Sequence, residues 1–190
     1  MTTIPHIDTV QARTRLNELI VLDVRTPGEY ATGHLPGALN IPVDQLDRAL
    51  PDIRHAAERA DILVVCASGA RSENACRTLA AHGVTTATLT GGTAAWTAGG
   101  HTLHHPDGAR LTAWSMERQV RLAAGAVVLA GLTLGRLRPA FRLASAGIAG
   151  GLVFSALTNT CGMAALLAKL PHNRPHPDDL DAALAALRIP

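Results

Sequence analysis

The chain has few of the residues on which disulfide-rich, metal-binding and nucleic-acid-binding proteins depend. Only three of its 190 residues are cysteines, and their spacing fits neither a disulfide framework nor a zinc site. Aromatic residues make up 3% of the chain and the formal net charge is +2, so no basic stripe with interleaved aromatics indicates nucleic-acid binding. We therefore expect a protein that holds no metal or cofactor and has no nucleic-acid partner.

The first residues also lack the features of a secretion signal. Residues 1–8 contain neither a basic segment nor an apolar core, so the sequence predicts that the first domain stays in the cytoplasm. With 190 residues, the chain has room for one domain and a substantial additional segment.

Charged residues are missing from two runs in the second half of the chain, residues 122–135 and 143–168. A helix that crosses a bilayer needs about 20 mostly apolar residues, and the second run is long enough. The first run is long enough only if Arg121 and Arg136 extend to the lipid headgroups. A buried hairpin in a soluble protein is the alternative, but it would leave apolar faces without a partner of matching size.

These runs predict an α-helical transmembrane hairpin over residues 118–170, with spans at about 120–137 and 142–162. Five positive residues flank the hairpin and three lie in its loop, so both of its ends are expected to face the cytoplasm. A short cytoplasmic tail, residues 171–190, is expected to follow.

Glycines in the two runs indicate close helix packing. Gly131 and Gly135 are four residues apart, as are Gly147 and Gly151. Pairs of small residues at this spacing let apolar helices approach each other closely. The pattern predicts that a second copy of the chain is a partner, in a homodimer formed through the hairpin.

Cys66 is the candidate nucleophile of the first domain. It follows an apolar run, residues 61–65, that predicts a buried parallel strand, and it precedes residues 72–82, whose apolar spacing predicts a helix. Backbone N–H groups and the helix dipole at such a position stabilise anions, which favours a reactive thiolate. A buried and inert cysteine is the alternative.

The first domain, residues 1–103, alternates predicted strands and helices. This alternation predicts an α/β fold with a mostly parallel sheet, helices on both faces, and the site at the carboxyl ends of the strands. Residues 104–117 are predicted to be a polar linker, in which His104 and His105 form a solvated pair rather than a metal site.

Four segments of this domain form motifs in a fixed order. They are LDVRTPGEY at residues 22–30, GHLPGALNIP at residues 33–42, CASGARS at residues 66–72 and LTGGTAAW at residues 89–96. Together they resemble the motifs of the rhodaneses, a family of sulfurtransferases. The resemblance implies a rhodanese-like α/β fold and a thiosulfate-type sulfurtransferase activity.

The resemblance also implies a mechanism and a set of site residues. Cys66 would attack a sulfur donor, thiosulfate or a persulfide, and would carry the sulfur as a persulfide until a thiol or cyanide removes it. Four residues separate Cys66 from Arg71, whereas the related dual-specificity phosphatases have five, so the loop length favours sulfur transfer over phosphate chemistry. The residues implied in substrate binding are Ala67, Ser68, Gly69, Ala70, Arg71 and Ser72.

The second half carries a resemblance of its own. Residues 116–125 and 161–174 are similar to a small two-helix membrane domain that is fused to rhodaneses in bacterial inner-membrane sulfurtransferases. The similarity implies a location in the bacterial inner membrane, with the lipid bilayer as a partner. The chain departs from that domain in its arginine-rich hairpin loop and in His172, where the family usually has tryptophan.

Two functional classes stay open at this point. The first is a membrane-anchored sulfurtransferase that moves sulfane sulfur through a Cys66 persulfide. The second is a membrane-tethered binding or redox-sensing module with the same fold, in which Cys66 is modified rather than turning over. The intact loop with Arg71 favours the enzyme.

The remaining polar and sulfur-containing residues of interest are expected to be structural. Asp23 is expected to hold a neighbouring strand end, and His34 and Trp96 to pack within their motifs. Cys76 is expected to pack against the sheet, and Cys161 to pack among apolar neighbours at the end of the second span.

Overall fold

The structure is a computed structural model, and it describes residues 4–105, 116–158, 162–170 and 177–189. The described residues form two compact units. The first unit contains residues 4–105 and 177–189, and the second contains residues 116–158 and 162–170.

A parallel sheet forms the centre of the first unit. Its strands are β1 (His6–Ile7), β2 (Ile20–Asp23), β3 (Leu39–Asn40), β4 (Ile62–Val65) and β5 (Ala87–Leu89). They lie in the order β1-β5-β4-β2-β3, and every neighbouring pair is parallel. The predicted parallel sheet is therefore confirmed, and β4, the strand that leads to Cys66, lies at its centre.

Four helices connect these strands, and a fifth follows β5. They are α1 (Thr9–Thr14), α2 (Pro27–Ala31), α3 (Leu46–Ala57), α4 (Ala70–Ala81) and α5 (Gly92–Ala98). Capping boxes start the first two of them, formed by Asp8 with Gln11 and by Thr26 with Glu29. Parallel strands need such crossover helices because a tight turn cannot join them.

Alternate side chains of the strands enter two hydrophobic clusters, one on each face of the sheet. Leu22 and Val64 belong to the cluster that α3 and α4 cover. Val21 and Leu63 belong to the other cluster, which includes side chains of α1 and α5. This alternation follows from the two-residue period of a strand, and it confirms that helices cover both faces.

A helix from the far end of the chain completes the first cluster. Helix α9 (Pro177–Arg188) packs beside α3, and four of its apolar side chains are at most 8% exposed. These side chains are Leu180, Ala183, Leu184 and Leu187. The sequence analysis placed residues 171–190 in a tail outside the first domain. The structure corrects that placement for residues 177–189, because the apolar stripe of α9 fits the apolar surface of α3.

Polar contacts hold α9 at its edges. The Arg48 guanidinium lies 2.6 Å from the Asp181 carboxylate, and Arg188 Nε lies 2.7 Å from Asp52 Oδ1. Arg59 donates to the carbonyl oxygen of Leu187 near the end of the helix. Charged side chains of α3 and α9 therefore border the apolar contact instead of entering it.

The first unit extends slightly beyond residue 103, the predicted end of the domain. The backbone of His104 forms an antiparallel bridge with that of His34, with N–O distances of 2.8 and 3.0 Å. The ring of His105 lies against Gly33, where a Cβ atom would be 2.7 Å from the histidine Cε1. Both histidines are exposed, and both belong to the first unit.

The second unit consists of α6 (Met116–Leu134), α7 (Phe141–Thr158) and α8 (Gly162–Ala168). The helices α6 and α7 pack as a hairpin, and the Ser145 hydroxyl of α7 donates to the Val128 carbonyl of α6 at 3.0 Å. Among the described helices, α7 is long and apolar enough to cross a membrane. Helix α7 occupies residues 141–158 of the predicted second span, 142–162, and Cys161 lies outside the described residues.

Candidate active site

Cys66 lies where the central strand ends and α4 begins. Its side chain is 1% exposed, and its Sγ atom accepts a hydrogen bond of 3.1 Å from the backbone N–H of Gly69. Gly69 is the N-cap of α4 and has φ = +98°, which a residue with a Cβ atom rarely adopts. The glycine at this position thus turns a backbone donor towards the sulfur.

The start of α5 fixes the other side of the loop. The N–H groups of Thr93 and Ala94 donate to the carbonyl oxygens of Cys66 and Ala67, at 2.9 and 3.0 Å. A Cβ atom on Gly92 would overlap the Cys66 carbonyl, so only glycine allows this approach. The motif at residues 66–72 and the motif at residues 89–96 therefore pack against each other in one site.

Ser72 lies beneath the sulfur and is fully buried. Its Oγ is 3.5 Å from Cys66 Sγ, 2.9 Å from the Gly69 carbonyl oxygen and 2.7 Å from Thr88 Oγ1. A hydroxyl group can rotate its proton among such acceptors. Ser72 therefore connects the sulfur, the loop backbone and β5.

Arg71 forms a paired contact that the sequence analysis missed. Its two terminal nitrogens each lie 2.8 Å from a different carboxylate oxygen of Glu29. Glu29 Oε2 also accepts from the N–H and the hydroxyl of Thr26, both at 3.1 Å. The spacing of Thr26 and Glu29 is that of a capping box and could have indicated a structural role for Glu29. No local pattern indicates its contact with Arg71.

A second buried ion pair lies beside the first. Arg25 donates to both oxygens of Asp23, and its Nη2 is 2.6 Å from Asp23 Oδ2. The Asn40 side chain donates to the carbonyl oxygens of Asp23 and Arg25, both at 2.9 Å. Asp23 thus holds a strand end, as the sequence analysis expected.

Burial and charge shift the pKa values of Arg71 and Tyr30. Burial lowers the pKa of Arg71, but the hydrogen bonds and charge of Glu29 outweigh it, and the negative charges of Cys66 and Asp23 add to them. The net result is a pKa above the usual arginine value, so Arg71 stays positively charged. Burial also raises the pKa of Tyr30 to about 12.

Cys76 is buried in the core and is distinct in character from Cys66. Its side chain is 0% exposed and belongs to the cluster that includes α3 and α4. Burial raises the pKa of its thiol, so the neutral form is favoured. This agrees with the expected packing role.

The two other motif residues with polar rings also pack. His34 stacks on Tyr30, with ring centroids 3.6 Å apart, and burial lowers the pKa of His34. Trp96 Nε1 donates to the Thr102 carbonyl at 3.0 Å. Within residues 4–105, 116–158, 162–170 and 177–189, no three histidine, cysteine or acidic side chains converge as metal ligands.

Two family models match the chain, in the order in which the two units occur. The rhodanese-like domain matches residues 7–99, and the transmembrane domain of YgaP-like inner membrane proteins matches residues 115–176. The chain is a rhodanese-like protein with a YgaP-like membrane domain. It is therefore an inner-membrane protein, as its second resemblance implied.

Relatives and a solved structure agree with this assignment. The uncharacterized protein slr1261 of Synechocystis is 35% identical over 168 residues, which is 87% of this chain and 90% of that protein. A sulfurtransferase of Allochromatium vinosum is 34% identical over 92 residues, which is 48% of this chain and 83% of that protein. The crystal structure of a rhodanese-related protein from Thermoplasma volcanium has a TM-score of 0.50 and 25% identity, and the match covers 54% of this chain and 99% of that one. These similarities support a sulfurtransferase-type role.

Proposed function

We propose that this protein is a membrane-anchored sulfurtransferase that moves sulfane sulfur through a persulfide on Cys66. The observation that carries the proposal is the contact between the Gly69 N–H and Cys66 Sγ, at 3.1 Å. A backbone donor aimed at sulfur stabilises the negative charge of a thiolate and of the persulfide that replaces it. The other loop residues, from Ala67 to Ser72, are proposed to surround the transferred sulfur.

The reaction needs two displacements at sulfur. The Cys66 thiolate attacks the outer sulfur of the donor, the donor's bond to that sulfur breaks, and a Cys66 persulfide forms. With thiosulfate as the reference donor, sulfite leaves with the bonding electron pair. An acceptor thiolate or cyanide then attacks the outer sulfur and regenerates the Cys66 thiolate. Neither displacement requires a general base, because each nucleophile reacts as an anion.

The alternative is a tethered binding or redox-sensing module in which Cys66 is modified but does not turn over. Such a module would need the thiol but not the means to hold and release a transferred sulfur. The paired Arg71 and the buried Ser72 support turnover instead, because they fix the loop around the sulfur.

The membrane arrangement is part of the proposal. Residues 4–105 and 177–189 belong to one folded unit, so the chain between them must cross a bilayer an even number of times. If α7 spans, α6 spans with it. The excess of positive residues outside the hairpin loop supports a cytoplasmic location for the first unit, which the proposal makes the catalytic unit. A membrane-impermeant thiol reagent added to sealed cells should therefore label Leu137→Cys in the loop but not Thr3→Cys.

Sulfur loading tests the proposed function. The detergent-solubilised protein is incubated with thiosulfate or with cysteine persulfide, and its peptides are analysed by mass spectrometry. We expect one added sulfur atom on the Cys66 peptide, and loss of loading and turnover in Cys66→Ser. Cys76→Ser is the matched control and should keep turnover. Turnover that survives Cys66→Ser would contradict the proposal, and loading of Cys66 without release to any acceptor would favour the sensing module.

A further inference from the structure

Three arginines lie where α6 ends and α7 begins. Arg136 and Arg138 lie in the turn between the two helices, and Arg142 lies in the first turn of α7. All three residues are exposed. We call them the loop arginines. They place three positive charges within residues 136–142, at one end of the helical hairpin.

No negative charge offsets the loop arginines. The sequence from residue 118 to residue 177 contains neither aspartate nor glutamate. Within the part of the chain that the structure describes, none of the loop arginines forms an ion pair or a side-chain hydrogen bond. In the first unit, by contrast, Arg48 and Arg188 each have a carboxylate partner. Because clustered like charges repel each other, an anion that binds the loop arginines would be stabilised by all three.

Arg142 crosses from α7 to the end of α6. A Cβ atom on Gly135 would lie 2.6 Å from Arg142 Cγ and 3.2 Å from its Nε, so the glycine makes room for this side chain. Arg136 follows Gly135 directly in the chain. The crossing therefore brings a guanidinium group of α7 beside the segment that carries Arg136 and Arg138. Guanidinium groups present planar sets of N–H donors that match the oxygens of a phosphate.

Exposed apolar side chains alternate with the loop arginines. Leu137, between Arg136 and Arg138, is 79% exposed, and Leu143, which follows Arg142, is 74% exposed. A soluble anion would contact the guanidinium groups and leave these leucines in water. A phospholipid supplies both kinds of contact, because its phosphate binds the guanidinium groups while its acyl chains cover the apolar side chains.

We infer that the loop arginines bind the headgroup phosphate of an anionic phospholipid, in the leaflet where the loop lies. The site belongs to the second unit, and its ligand does not depend on sulfur transfer at Cys66. A zwitterionic headgroup carries a positive amine beside its phosphate, which the loop arginines repel, so an anionic headgroup is favoured. Each arginine near an anionic lipid surface strengthens binding by about fivefold.

Lipid binding to the full-length protein in detergent tests this inference. Native mass spectrometry measures the dissociation constants of phosphatidylglycerol, which is anionic, and of phosphatidylcholine with the same acyl chains. Phosphatidylglycerol should bind more tightly by about tenfold or more. The preference should shrink as ionic strength rises, because salt screens exposed charges. Equal affinities for the two lipids, or a preference that salt leaves unchanged, would overturn the inference.

Inorganic phosphate distinguishes a lipid from a free anion. At the same concentration as phosphatidylglycerol it should displace none of the bound lipid, because it makes no contact with the exposed leucines. Displacement of the lipid by inorganic phosphate would mean that the loop arginines form a site for a soluble anion, and the inference would be wrong.

Matched variants test whether the loop arginines form the site. Arg142→Gln should weaken phosphatidylglycerol binding by about fivefold. Lys169→Gln removes one exposed positive charge from the same unit outside the loop, and it should change the affinity by less than about twofold. Equal effects of the two substitutions would contradict the inference, because general attraction between charges would then explain the binding.

Replacement of all three loop arginines tests the contribution of charge. The variant with glutamine at these positions should bind the two lipids with equal affinity. The variant with lysine at the same positions keeps the three charges and should keep the preference for phosphatidylglycerol. If the lysine variant lost the preference as completely as the glutamine variant, the charge of the loop would not determine lipid binding and the inference would fail.

Discussion

Two helices rich in alanine and leucine, α7 and α9, have opposite surroundings in this protein. The leucines of α9 are covered by the catalytic unit: Leu184 is 5% exposed and Leu187 is 1% exposed. The apolar side chains of α7 are largely uncovered, with Phe154 62% exposed and Leu157 83% exposed. Apolar side chains are thus covered by protein in α9, whereas in α7 they are not covered by the described protein residues.

The difference follows from how the charges are distributed along each helix. In α9 the buried apolar residues recur at intervals of three and four and form one stripe, while aspartates, an arginine and small alanines occupy the rest of the surface. In α7 no residue after Arg142 is charged, so every side of the helix is apolar or small. A helix of that kind requires an apolar environment around its whole circumference, which the bilayer supplies.

Deletion of α9 should have the largest effect on this comparison. A chain that ends after Leu170 loses three leucines and an alanine from the core. Each buried leucine stabilises by about 1.5–3 kcal/mol, so the deletion should cost roughly 5 kcal/mol or more. A domain of this size has a total stability of about 5–15 kcal/mol. We therefore expect the catalytic unit to lose most of its resistance to heat and to proteolysis, although every sulfur-transfer motif is retained.

Thermal unfolding and limited proteolysis in detergent measure this loss. The same fragment with residues 177–189 supplied as a free peptide is the control, and partial recovery is expected. A truncated protein as stable as the full chain would show that the packing of α9 does not stabilise the first unit.

Single leucine-to-alanine substitutions make the same comparison at one residue in each helix. Leu184→Ala should destabilise the catalytic unit by about 2–4 kcal/mol, because a cavity replaces a buried side chain. Leu157→Ala should change the stability of that unit by less than about 0.5 kcal/mol, since the side chain lies outside its core. Denaturant titration followed by tryptophan fluorescence measures both values. Equal effects would mean that the burial of α9 does not matter to stability.

The sequence predicted the parts of the fold and site that depend on neighbouring residues. The run before Cys66, the glycines of its loop and the helix that follows are local, so strand, loop and helix were predicted together. The packing of α9 was not predicted, because its partner α3 lies about 130 positions earlier, with the whole second unit between them. Local patterns carry no information about such pairings.

The Arg71–Glu29 pair was missed for a similar reason. The two residues are 42 positions apart, and each has an adequate local explanation: Arg71 ends the loop motif and Glu29 belongs to a capping box. Their contact depends on how β2 and β4 are ordered in the sheet. Strand order is set by the assembled core, which a single sequence does not reveal.

Glycine substitutions distinguish the two faces of the hairpin. A Cβ atom on Gly131 would lie 2.8 Å from the Phe141 carbonyl oxygen and would overlap the Ser145 hydroxyl, whereas one on Gly147 would meet nothing within 4 Å. Gly131→Leu should therefore separate α6 from α7 and cost about 1–3 kcal/mol of hairpin stability. Gly147→Leu should leave the hairpin intact, because a Cβ atom there meets nothing within 4 Å. It should weaken the proposed homodimer, because the leucine side chain would separate two copies that Gly147 lets approach closely.

Disulfide trapping between cysteines placed in α6 and α7 measures the hairpin, and chemical cross-linking in membranes measures the dimer. A dimer that tolerates both Gly147→Leu and Gly151→Leu would mean that the association, if any, uses another face.

The smallest expected effect concerns the ion pair between Arg188 and Asp52, which links the end of α9 to α3. Hydrogen bonds from Arg188 hold the pKa of Asp52 below its usual value of 3.8, although partial burial opposes the shift. A carboxyl group with a lowered pKa stabilises the folded state when it is ionised, so this contribution is present above pH 3.8 and is lost as the pH falls below it. Arg188→Gln should therefore lower the melting temperature slightly at neutral pH and by less as the pH falls through that range. Asp52→Asn removes the same interaction and should behave alike, with no further loss in the double variant. If the difference in melting temperature between wild type and Arg188→Gln grew as the pH fell, the result would contradict this prediction. It would show that the ion pair does not stabilise the packing of α9.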